Sequence, residues 1–351
     1  MAYTTIDDSE IYFKQITYTG TGNVQALEGL NHKPDFLWVK NRSVNNDFKI
    51  TDSMRLSSGA PTITLESNTS AAEYDDADPA STTSFDTDGF TIGTNGNYNT
   101  DDSTYVGWSW KCNGGTAETT VNESGNNPGN SRQTNADAGF SIITYTGTGA
   151  TGTIAHGLGV VPEWIMFKAR AGTENWPNYQ ITTGNTHGCD LNRNNAQIDN
   201  DTLFNDTSPT SSVFTVSSDS AINADGVAYV CYCFAPIKGY SKFGGYTGNG
   251  NVNGAFVYTG FSPAWVMVKR TDSGNNWHMH DNKRVTSNPN NLTLYANLTN
   301  ADASEDLDML SNGFKLRESG GGYNANAGTY VYMAFAASPF VSSKGIPTTA
   351  K

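Results

Sequence analysis

The chain has 351 residues, 36% of them hydrophobic and 16% charged, with 36 Gly and a formal net charge of -13. That length fits two or three domains of roughly 100 to 150 residues, and many aromatic and β-branched residues beside few helix formers point to an all-β chain. The scattered Asp residues, with no Lys/Arg cluster among them, exclude a nucleic-acid partner; no apolar run is long enough for a membrane span, and the first residues lack a basic-then-apolar signal.

An arm at 1–12 leads into a first unit at 13–111. Tyr18-Thr19-Gly20-Thr21-Gly22 reads as a strand end followed by the glycines a tight turn needs. Pro34-Asp-Phe36-Leu-Trp-Val-Lys40 reads as a second strand, entered at a proline where no ladder donor is required. Phe48 and an Asp-x-x-Arg step, Asp52 to Arg55, follow, and Tyr105-Val-Gly-Trp-Ser-Trp closes the unit. Acidic loops at Asp75-Asp76-x-Asp78, Asp86-x-Asp88-Gly89 and Asp101-Asp102 offer the oxygens that Ca²⁺ takes, yet none has calcium-loop spacing. They are expected as solvated acids, and no cofactor is assigned, with Ca²⁺ the one open alternative.

The stretch 112–138, dominated by Gly, Asn, Thr and Ser, reads as a flexible or extended linker. A second unit at 139–239 repeats the landmarks at Tyr145 to Gly149, Pro162 to Lys168, Trp176, and Tyr229 to Phe234, but carries Gln180 and Thr183 where the first has Asp52 and Arg55. Its Gly147-x-Gly149-x-x-Gly152 matches the dinucleotide fingerprint in form only, because no helix signal follows. A third unit at 240–340 has Tyr246 to Gly250, Pro263 to Lys269, Trp277, Asp281 with Arg284, and Tyr330 to Phe335. A tail at 341–351 ends the chain.

Near-constant spacing of three landmarks in three places predicts three tandem β-sandwich or jelly-roll-like repeats of about 100 residues. In 330–335 the odd positions are expected on one face and the even positions on the other. Direct passage from Phe234 through Pro236 to Tyr240 predicts a rigid pair of second and third units, with the first set apart on its linker.

His278-x-His280-Asp281 is the most metal-like cluster. The recurrence of aspartate and arginine in the first unit, where no histidine accompanies them, favours structural ion pairs instead, Asp52 with Arg55 and Asp281 with Arg284. Gly-x-Ser-x-Gly and a placeable carboxylate pair are both missing, so no catalytic residue is assigned and a non-enzyme is expected. Trp38, Trp108, Trp110, Trp164, Trp176, Trp265 and Trp277 sit mostly at equivalent strand positions, which suits core residues better than glycan-stacking platforms. Cys112, Cys189, Cys231 and Cys233 have no framework spacing and read as buried free thiols.

Met1-Ala-Tyr-Thr-Thr-Ile-Asp-Asp, Pro34-Asp-Phe-Leu-Trp-Val-Lys-Asn-Arg-Ser, Thr83-Ser-Phe-Asp-Thr-Asp-Gly-Phe-Thr-Ile-Gly, Tyr105-Val-Gly-Trp-Ser-Trp-Lys-Cys-Asn-Gly-Gly, Gly313-Phe-Lys-Leu-Arg and Ala334-Phe-Ala-Ala-Ser-Pro-Phe together resemble a family of virion structural proteins. These are proteins of marine bacteriophages, including cyanophages and phages of abundant ocean bacteria, and the resemblance spans nearly the whole chain. It implies lectin-like β domains on the virion surface, made in the host cytoplasm and assembled with other capsid or tail proteins in a homo- or hetero-oligomer. The expected function is that of a non-enzymatic surface protein, a capsid decoration knob or a tail-appendage adhesin, with host surface glycans as further ligands. The alternative is a free carbohydrate-binding, lectin-like module.

Overall fold

Successive side chains on a strand point to opposite faces, and in the strand Thr329–Pro339 both faces are buried. Val331, Met333 and Phe335 enter one apolar core while Tyr330, Tyr332 and Ala334 enter another. A strand of this kind has to lie in a layer with protein on both sides. The computed structural model describes residues 3–76, 80–114 and 119–348, is nearly all β, and places such a layer in three positions.

Each layer is antiparallel with one strand order, which we name opening, closing, lysine and fourth. The first is Phe13–Thr19, Thr104–Trp110, Phe36–Asn41 and Lys49–Asp52. The second is Phe140–Thr146, Ala228–Phe234, Trp164–Ala169 and Pro177–Gln180. The third is Ser241–Thr247, Thr329–Pro339, Phe261–Arg270 and Trp277–Asp281. Short pairs cover the outer faces, Gln25–Glu28 with Gly89–Ile92, Gly152–Ala155 with Val213–Val216, and Phe256–Tyr258 with Gly313–Leu316. Each pair closes a small outer core, around Phe90, Phe214 and Phe314 respectively.

The three inner faces share a single core that contains all seven tryptophans, each under 2% exposed. At its centre meet Trp110, Phe234 and Phe335, which occupy the same place in the three closing strands. Their rings contact pairwise with centroids 6.5, 5.5 and 5.9 Å apart, so the units surround the meeting point in a ring.

This arrangement overturns the expectation of a first unit standing apart. Phe13 stacks on Phe335 at 5.1 Å, Trp38 lies 6.5 Å from Trp265, and Phe36 packs edge-on against Tyr232 at 4.6 Å. Nor is 112–138 a free linker. Asn130–Asn135 pairs along its whole length with Phe140–Thr146, from Phe140 to Tyr145, and Thr119–Val121 pairs with it in turn, while 115–118 lie outside the described residues. A polar strand is held by ladder hydrogen bonds and not by an apolar stripe, so its composition is that of a linker. The arm and the tail are docked as well. Tyr3 Oη donates to the Gly260 carbonyl at 2.7 Å, and the Ser343 amide donates to Asp7 at 2.6 Å; residues 1–2 and 349–351 lie outside the described residues.

Candidate functional site

The Tyr-Thr-Gly-x-Gly turns are pinned from inside. The first tyrosine of each stacks on the closing-strand tyrosine, Tyr18 on Tyr105 at 5.0 Å, Tyr145 on Tyr229 at 5.1 Å and Tyr246 on Tyr330 at 4.9 Å. A wholly buried asparagine plugs each turn, at a fixed distance before the closing tyrosine: Asn99, Asn223 and Asn324. Its side-chain oxygen accepts from the amide of Thr21, Thr148 or Asn249 at 2.7, 2.9 and 3.0 Å. Its amide group donates to two carbonyls, Asn23 and Gly93, Ala150 and Ser217, or Asn251 and Glu318. A Cβ on Gly20, Gly147 or Gly248 would sit 2.1, 2.3 or 2.3 Å from the carbonyl oxygen of Thr100, Ala224 or Ala325, so only glycine fits there. After Gly149 the chain enters the strand Gly152–Ala155, not the helix a dinucleotide site needs. Sequence reasoning missed these asparagines, although their constant offset from the closing tyrosine was visible.

Charged networks knit two of the three junctions between units. Arg55 Nε lies 2.7 Å from Asp52 Oδ2, and the same oxygen accepts from Tyr232 Oη of the second unit at 2.7 Å. Arg55 continues to Glu73 at 3.3 Å, and Glu73 to Arg170 at 2.8 Å. The third and first units repeat the pattern: Arg284 to Asp281 at 2.5 Å, Trp108 Nε1 to Asp281 at 3.2 Å, Arg284 to Asp302 at 2.8 Å, and Asp302 to Arg42 at 2.9 Å. Burial opposes the charge on Arg55 and Arg284, and the surrounding acidic groups outweigh it, so both stay protonated.

One backbone bond marks the same point in all three junctions. The amides of Glu73, Asp302 and Gln197 donate to the carbonyls of Arg170, Arg42 and Thr271 at 3.0, 3.1 and 2.9 Å. In the junction of second and third units the corresponding side chains are Gln180, Thr183, Gln197, Thr271 and Met333, none of them charged. A buried ion pair stripped of one partner is strongly destabilising, by about 3–5 kcal/mol. Such a network is therefore kept whole or lost whole, and here it is lost whole. The junction instead borders a cleft of about 500 Å³ lined by Thr182, Thr183, Thr186, Gln197, Gly245 and Thr329, among others.

Lys40, Lys168 and Lys269 are equivalent and wholly buried, and burial brings each down to about 8. Lys40 donates across its junction to the Thr299 carbonyl at 3.0 Å and Lys168 to that of Ser70 at 2.9 Å. Lys269 donates to Arg270 of its own unit at 2.7 Å.

His278 Nδ1 lies 2.5 Å from Glu305, whose other oxygen accepts from Tyr295 at 3.1 Å. His280 Nδ1 is 3.4 Å from Asn290, and burial together with Arg284 pushes this ring down to about 3, so it is neutral. Among the described residues no group of three or more His, Cys, Asp or Glu is arranged to hold a metal, and Asp281 is engaged by Arg284. Of the acidic loops, Asp86 accepts from Ser84 and Thr91, Asp88 caps the amides of Gly29 and Asn31, Asp75 and Asp76 flank a short strand end, and Asp101 and Asp102 are exposed. Asp78 lies outside the described residues. The four cysteines are buried and unbridged.

The family model described as domain of unknown function (DUF7483) matches residues 8–339, which takes in all three sheets and both charged junctions. The chain belongs to the DUF7483 family. No curated protein and no solved structure matches it. The DUF7483 match runs unbroken through 112–138, in keeping with a segment that is part of the folded body.

Proposed function

We propose that this DUF7483 protein is a non-enzymatic structural protein displayed on the surface of a bacteriophage particle, made in the host cytoplasm. The observation that carries the reading is the closure of three sandwich units on one tryptophan-rich core, with Trp110, Phe234 and Phe335 at its centre. That gives a stiff body whose arm and tail are tied together through Asp7 and Ser343 and whose Gly- and Asn-rich turns are pinned from within. Such a body is suited to presenting surfaces to neighbours in an assembly, with host glycans as an outer partner. The segments that resemble marine phage virion proteins lie in its framework: Phe36–Asn41, Gly89–Ile92, Thr104–Trp110 and Gly313–Leu316. Gold-labelled antibody against the chain, applied to purified particles under the electron microscope, tests the reading. Label on every capsomer means a decoration protein and label at the tail means an adhesin; unlabelled particles overturn both.

A further inference from the structure

The three opening strands differ in what lies along their free edge. Phe140–Thr146 is covered there by Asn130–Asn135, whereas Phe13–Thr19 and Ser241–Thr247 each end their sheet. An edge strand presents a row of unpaired N–H and C=O groups, a template for one more strand. Beside Phe13–Thr19 the Gln15 side chain bridges to the third unit, its Nε2 donating to Asn282 at 2.5 Å and to the Ala264 carbonyl at 3.3 Å. Beside Ser241–Thr247 lies the junction that carries no charged network. The Tyr240 carbonyl accepts from Ala336 and the Gly248 amide donates to Gly328, so the even-numbered residues between them bond the closing strand. By the alternation of an antiparallel ladder, Gly245 and Thr247 turn their N–H and C=O outward. Both are exposed, and both border the cleft of about 500 Å³ whose far wall is Thr182, Thr183, Thr186 and Gln197.

We propose that this edge accepts an added antiparallel strand from a partner protein, an extended segment rich in Asn, Ser, Thr and Gln. The chemistry of the occupant follows from two observations. The segment that fills the equivalent edge of the second unit is Asn130–Asn135, Asn-Ser-Arg-Gln-Thr-Asn, with Asn130 and Gln133 buried against the body. The cleft beside Ser241–Thr247 is walled by hydroxyl and amide groups and the His187 imidazole where the other junctions carry their arginine–carboxylate networks, and among the described residues no carboxylate, Lys or Arg lines it. A cationic side chain entering it would lose water and gain no counter-charge, whereas neutral polar side chains find partners. The chain's own strand of this type is already paired, so the donor is a different protein. Main-chain bonds give such an addition its affinity, and the wall selects its side chains.

The probe is a fluorescent peptide with the sequence of residues 128–136 carrying Arg132→Gln, added to the full-length protein. Saturable binding is expected, with amide exchange slowed within Ser241–Thr247. Thr247→Pro removes an outward N–H and leaves the ladder to the closing strand intact, an edge-strand position of the kind in which a sheet tolerates proline. It should weaken binding by about tenfold or more, the loss of at least one ladder bond, while Thr247→Ala binds as the wild type does and all three proteins melt alike. Absence of saturable binding at millimolar peptide overturns the proposal, and so does protection that falls only on Phe140–Thr146, since the peptide would then be displacing the chain's own strand. The wild-type exchange pattern decides the matter even if Thr247→Pro fails to fold. This assay needs no particle, so unlabelled virions would leave it standing.

Discussion

Lys40, Lys168 and Lys269 show at the scale of single residues how a buried charge is tolerated. The ammonium groups of Lys40 and Lys168 lie among backbone carbonyls and each reaches across a junction for one of them, while Lys269 donates to the Arg270 carbonyl of its own unit. In the folded chain the three titrate near 8, against 10.5 for a free lysine. Between those values the unfolded chain binds more protons than the folded one, so the lysine contribution to stability rises with pH through that window. The gap in melting temperature between wild type and Lys168→Met isolates this contribution, because buried tyrosines and cysteines titrate alike in both. That gap should widen from pH 7.5 to about 9.5. Lys269→Met, which gives up a carbonyl only within its own unit, should cost less than Lys168→Met, which abandons Ser70 and Glu174. A gap that narrows with pH, or a costlier Lys269→Met, would count against this account.

Among the elements, those with a strong apolar pattern were legible and those held by polar groups were not. The alternation in 330–335 gave both faces of the closing strand, and the aromatic-rich landmarks gave the opening, lysine and closing strands of every sheet. Asn130–Asn135 escaped because Asn, Ser, Arg, Gln and Thr carry no period-two apolar signal, although the strand pairs along its full length. The aspartate and arginine of the ion pairs were readable from their recurrence. Their onward partners Glu73, Arg170, Asp302 and Arg42 come from distant segments whose approach no local spacing encodes. The turn asparagines fall between these cases, fixed in offset but unremarkable in a chain full of Asn. Their weight can be measured: Asn223→Ala strands the Thr148 amide and the Ser217 carbonyl at once and leaves the Ala150 carbonyl only its bond from Thr148 Oγ1. The expected loss is on the order of 3 kcal/mol, with exchange at Thr148 accelerating well before global unfolding. An unchanged Thr148 exchange rate would mean that water replaces the side chain without penalty.

The whole molecule behaves as one cooperative unit if the shared core is what holds it together. Removing the first unit would uncover Phe335, Trp265 and Tyr232, which now pack against Phe13, Trp38 and Phe36. It would also leave Arg284 and Asp281 without Trp108 and would cut the path through Asp302 to Arg42. Calorimetry of the full chain should therefore give a single endotherm whose calorimetric and van't Hoff enthalpies agree. Trp110→Ala, at the point where the three closing strands meet, should move that whole endotherm down, since large-to-small changes at such sites cost about 3–5 kcal/mol. A fragment of residues 119–340, which keeps Thr119–Val121 and Asn130–Asn135 on the second sheet, should not fold to a stable monomer. Two resolved endotherms, or a fragment that melts where the full chain does, would return the first unit to the status of an independent domain. Cooperativity of this kind also limits where partners can bind, because the inner faces are committed to the core, and what remains for recognition is the outer layer, the pinned turns and the open edge at Ser241–Thr247.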